Sequence, residues 1–107
     1  MIKLLHIYGQ EQWHGNTYLV GNKAGLLELK NAIEQALDNG RGETTNKGSC
    51  IYTNDGEGYQ VRVVLNDTIW QSPFWENLAL PYSWEIASEK RDDAIWPWKI
   101  WQAMDEE

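Results

Sequence analysis

VGNKAGLLELKNAIEQALDNG, residues 20–40, reads as one helix with both of its ends marked. Leu26, Leu29, Ile33 and Leu37 recur at spacings of three and four, with Leu27 and Ala36 widening the stripe. Lys23, Glu28, Lys30, Glu34 and Gln35 cover the other faces. Asn22 stands where an N-cap is needed, and Gly40 suits the left-handed residue that ends a helix. A helix with one apolar stripe is not stable alone, so a sheet is expected to cover it.

Working outward, residues 2–8 alternate as a strand. Ile2, Leu4, His6 and Tyr8 share one face, and Lys3, Leu5 and Ile7 the other. Both faces are largely apolar, which predicts a central strand. A polar turn follows, and then residues 17–20 form a second strand, giving a hairpin that leads into the helix. Beyond the helix, residues 41–47 (RGETTNK) carry no apolar anchor and read as a mobile polar loop. Residues 49–53 predict a third strand and residues 59–65 a fourth, joined by the turn signal Asn54-Asp55-Gly56-Glu57-Gly58. Residues 82–86 alternate like a fifth strand. Residues 94–104 hold Pro97, which allows a short helix only if the proline lies in its first turn, with Trp98 and Trp101 on one side. The predicted fold class is α+β: an antiparallel sheet of four to five strands, one long helix on one face, and a Trp-rich C-terminal segment.

At 107 residues the chain has room for a single domain over residues 1–107 with one core. It lacks an apolar run of the roughly 20 residues that span a bilayer. The apolar start leads into Gln10, Glu11, Trp13 and His14 and not into a cleavage site of small residues, so no signal peptide is expected. The one cysteine, Cys50, excludes an internal disulfide and fits a reducing cytoplasm. Net charge is −7, from 16 acidic and 9 basic residues. The longest basic cluster is the pair Lys90-Arg91, which argues against duplex nucleic acid. Acidity alone fits either plain solubility or docking onto a basic partner. Seven tryptophans are present, six of them in the last 38 residues, and such a cluster serves a core, an interface or a stacking pocket.

Groupings that could carry chemistry are sparse. His6 and His14 lack metal-ligand spacing, and no metal or cofactor is expected. Cys50 sits in a strand pattern, away from the helix starts and sharp turns that stabilise thiolates. Asp55 with Glu57, and Asp92 with Asp93, lie in turn contexts where carboxylates are usually solvated. No catalytic residue is assigned. The segment Gly21-Asn22-Lys23 enters a helix N-terminus, where free amides and the helix dipole attract anions and Lys23 adds a charge. With Tyr8, Trp13, Trp98 and Trp101 as stacking surfaces and Arg62 as a further cation, these residues form the candidate site for a nucleotide-like anion.

The sequence G-N-K-A-G-L-L-x-L-x-x-A-I-x-x-A-L, followed by D-G-E-G-Y, resembles small bacterial and phage proteins of about this length. The resemblance covers residues 15–65 and brings no established activity with it. The acidic format is also similar to immunity proteins and to phage proteins that inhibit host defence. That similarity implies stoichiometric binding, not turnover. Two functions follow as expectations. One is sequestration of a small nucleotide-like ligand in phage counter-defence. The alternative is an acidic inhibitor or immunity protein that blocks a bacterial enzyme through its acidic and Trp-rich surface. A homo-oligomer clasped by the tail is a further expectation.

Overall fold

The computed structural model describes residues 2–10, 14–46, 50–81 and 94–106. The predicted fifth strand, the pair Asp92-Asp93, Trp13 and Trp84 lie outside these residues. In chain order the elements are β1 (Lys3–Tyr8), β2 (Tyr18–Gly21), α1 (Lys23–Asn39), β3 (Arg41–Glu43), β4 (Ile51–Tyr52), β5 (Gly58–Tyr59), β6 (Arg62–Val64), α2 (Pro73–Asn77) and α3 (Pro97–Asp105). The fold is α+β. The chain divides into two compact units. Unit 1 is Met1–Tyr8 with Thr17–Asn66, and unit 2 is Gly9–Asn16 with Asp67–Glu107.

Unit 1 holds a four-stranded sheet in the order β2-β1-β4-β5 and a two-stranded sheet of β3 and β6. β1 is central, as its two apolar faces predict. It pairs antiparallel with β2, placing Leu5 opposite Gly21 and Tyr8 opposite Tyr18. Its other neighbour, β4, runs parallel, so the sheet is mixed and not antiparallel throughout. The physical reason is the crossover. The chain leaves β2, runs through α1 and β3, and returns to lay β4 beside β1 in the same direction.

The ends of α1 fall where the sequence marks them. The Asn22 side chain accepts from Gly25 N at 2.8 Å, and Gly40 is left-handed at φ 95° with its amide bonded to Ala36 O. Its buried face is in part a correction: Ala36 is buried and Leu29 half-buried, as the stripe predicts, but the large residues beside them are exposed. Gly25, Ala32 and Ala36 are the buried positions. Leu26 and Ile33 are 42 % exposed and Leu37 64 % exposed. The backbones approach too closely for large side chains between them. A Cβ on Gly25 would stand 1.9 Å from Leu4 O, and one on Gly42 of β3 would stand 2.1 Å from Ala32 O. Small residues allow that approach, and the leucine stripe is turned about 100° round the helix from it.

The supposed mobile loop is the second correction. Arg41–Glu43 pairs with Arg62–Val64. Thr44 beyond it is buried, exchanging backbone and hydroxyl bonds with Val61 at 3.0 and 2.9 Å. A buried glycine under α1 anchors this stretch, and apolar counting misses that kind of anchor. The predicted fourth strand is also divided. Its first part pairs with β4 and its second with β3, the change falling at Gln60-Val61, where both residues bond Thr44. In unit 2, α2 and α3 each begin with proline at the first turn. Ile95 bonds backbone to backbone with Asn77 and Ala79, tying the stretch before α3 to the end of α2.

Candidate functional site

At the start of α1 the Asn22 side chain makes three hydrogen bonds. Its Oδ1 accepts from Leu4 N at 3.0 Å and Gly25 N at 2.8 Å, and its Nδ2 donates to Ile2 O at 2.8 Å. The Asn22 amide donates to Leu4 O at 3.1 Å. This asparagine therefore caps the helix and pins it to β1 in one step. Lys23 lies exposed beside it, and the first turn contains no acidic residue.

The other members of the sequence-derived site belong to other elements. Tyr8 lies at the far end of β1 from Gly21, since Leu5 is the residue opposite that glycine. Arg62 is on β6 in the second sheet, 3.3 Å from Glu43. Trp98 and Trp101 belong to α3 in unit 2. Within α3 they differ: Trp101 is 6 % exposed, and Trp98 is 47 % exposed and stacks on Trp96 with centroids 5.1 Å apart.

Asp55 and His6 are each hydrogen-bonded within the fold. The Asp55 carboxylate accepts from the Thr53 hydroxyl and from Glu57 N, and these bonds hold its pKa below the ordinary carboxylate value. It closes the turn between β4 and β5. The neighbouring Cys50 thiol raises the Tyr52 phenol above its usual range. His6 Nε2 accepts from Asn54 N at 3.0 Å, so Nδ1 carries the proton toward the Tyr8 hydroxyl at 2.9 Å. Among the described residues no group of three or more His, Cys, Asp or Glu could hold a metal ion. Among them no helix is long and apolar enough to cross a membrane.

Two features escape a residue-by-residue reading of the sequence. Against the open face of β1 and β4 lies a cavity of about 340 Å³ lined by Ile2, Leu4, Tyr52, Thr53, Asn54 and Gly56. The second is the partition of charge. Unit 1 contains six acidic and six basic residues and no tryptophan. Unit 2 contains ten acidic and three basic residues, the whole net charge of −7, and all seven tryptophans. The signal was present in the sequence, but it emerges only once Gly9–Asn16 is grouped with the C-terminal part. Several large side chains of unit 2 face solvent. Trp70 is 82 % exposed, and Ile69 and Trp98 are also exposed. Comparison of the chain with family models, curated proteins and solved structures gives no match.

Proposed function

We propose that the protein is a non-catalytic binding protein that inhibits a partner protein by docking its acidic, Trp-bearing unit on a basic surface. The observation that carries this reading is the coincidence in unit 2 of all seven tryptophans with the entire net charge. Exposed tryptophan supplies contact area at low entropic cost, and a charge of one sign steers encounter with a surface of the other. Trp70 and Trp98 are the anchors in this reading, because their rings are already exposed. Trp101 is buried and supports α3 from within. A basic surface of this kind is what enzymes of nucleic acid present to their substrates. The cytoplasm, with its reducing thiol poise, is the proposed compartment for a chain with one free cysteine.

The test is capture from a bacterial lysate on the immobilised chain at low salt, followed by elution with heparin. Basic proteins released by heparin, and lost from Trp70→Ala and Trp98→Ala columns, are the expected result. An empty column, or a bound set indifferent to both substitutions, contradicts the proposal.

A second reading keeps one supporting observation. Lys23 is an exposed cation at a helix start with no carboxylate in the first turn, which suits a nucleotide-like anion. It calls for a rise in melting temperature with linear or cyclic nucleotides that Lys23→Ala abolishes. No rise with any nucleotide removes it.

A further inference from the structure

The outer edge of β2 and the leucine stripe of α1 lie side by side on unit 1, and among the described residues neither is covered. β2 is a terminal strand of its sheet, and among the described residues nothing pairs with its outer edge. Tyr18, Leu19 and Val20 are 61, 50 and 60 % exposed, so both faces of the strand meet water. Edge strands are normally blunted by lysine, proline, a bulge or an inward charge. Residues 15–22 (GNTYLVGN) contain none of these residue types and no charged side chain. The Leu26 side chain comes within 3.4 Å of a Cβ built on Gly21, which sets the start of the stripe beside this strand. Ile33 and Leu37 continue the stripe along α1.

We propose that this surface is the self-association interface of the protein, β2 pairing antiparallel with β2 of a second copy. The occupant is a second copy for two reasons on the same surface. An antiparallel strand pair is its own complement under a two-fold axis, so one edge supplies both halves of the ladder. Charge permits it: unit 1 has six residues of each sign and β2 has none, so two copies meet here without like charges opposed. Unit 2 is repelled by its own kind, with ten acidic residues against three basic ones. The pairing would join two four-stranded sheets into one of eight strands. Leu19 would pack against Leu26 and Ile33 across the axis. The interface needs no ion pair, so it is insensitive to salt, unlike the docking proposed for unit 2.

Sedimentation equilibrium of the full chain decides the matter, with circular dichroism confirming that each variant is folded. At about 100 µM, well above the dissociation constant of a micromolar dimer, the wild-type chain is expected as a dimer at both low and high salt. Leu19→Lys places a charge on the edge and is expected to weaken association by at least about tenfold. If Leu19→Lys fails to fold, Leu37→Lys on the helix serves in its place, since that side chain is 64 % exposed. Trp98→Ala should leave the dimer unchanged. A wild-type monomer at this concentration overturns the proposal. So does a dimer that survives the folded lysine variant, or one that Trp98→Ala dissolves.

Discussion

Gly25 and Glu28 join α1 to β1 by opposite means, one by having no side chain and the other by its charge. Alanine at an interior helix position is ordinarily favoured over glycine by about 1 kcal/mol. At Gly25 the sign reverses, because the added Cβ would stand 1.9 Å from the Leu4 carbonyl. Gly25→Ala is expected to destabilise the chain by about 2 kcal/mol, read as a lower urea midpoint at unchanged slope. Glu28 accepts from Lys3 Nζ at 2.8 Å and from Thr45 N at 2.8 Å. The Lys3 bond, followed by that from Thr45, lowers the carboxyl below its ordinary value of 4.5. A carboxylate lowered on folding stabilises the fold above its unfolded value and ceases to do so as pH falls through the folded one. The stabilisation is thus complete at neutral pH and fades below 4.5. Glu28→Gln should cost about 1 kcal/mol at pH 7 and progressively less as pH falls below 4.5, measured by urea unfolding at pH 7 and at an acidic pH. Equal loss at both pH values would show that the carboxylate's charge plays no part.

At the scale of elements, the helix is the part of the chain most legible in its sequence, and its ends more so than its faces. Caps are local chemistry: Asn22 and Gly40 act within a few residues of themselves. The choice of buried face depends on how near another backbone comes, and the spacing of Leu26, Ile33 and Leu37 carries no such information. The same cause hid β3, where Gly42 under Ala32 replaces the apolar anchor a strand normally shows. It also let one apparent strand over residues 59–65 conceal two that belong to different sheets. Parallel pairing of β1 with β4 is a long-range result that no local pattern encodes. The proline at the start of α3 was legible for the same local reason as the caps. The unequal fates of its two tryptophans were not. Trp101→Ala, removing a ring that is 6 % exposed, is expected to cost about 3 kcal/mol of stability. Trp98→Ala should leave the unfolding free energy within about 0.5 kcal/mol of wild type and act on partner binding instead. Equal losses from the two would refute the division of roles within α3.

At the scale of the whole molecule, charge and tryptophan divide along the boundary between the two units. Of the proposed anion site, only the helix entry Gly21-Asn22-Lys23 is local and could be seen as one feature; Tyr8 and Arg62 stand on other strands of unit 1, and Trp98 and Trp101 on α3 of unit 2. The acidic, Trp-rich character was visible as composition, but its confinement to one unit depends on Gly9–Asn16 and Asp67–Glu107 folding together. That confinement separates the two proposals. Docking on a basic partner is the activity proposed for unit 2 and is expected to weaken with salt, whereas the pairing of two copies proposed for unit 1 is not. The most direct measurement is capture of lysate proteins at low salt by two charge variants of the full chain. One carries Asp67→Asn, Asp92→Asn, Asp93→Asn and Glu106→Gln in unit 2, and the other Glu34→Gln and Asp38→Asn in unit 1. Loss of the captured basic proteins from the first, with full retention by the second, is the predicted result. Equal capture by both variants, or loss from the unit 1 variant alone, would contradict the assignment of binding to the acidic, Trp-bearing unit.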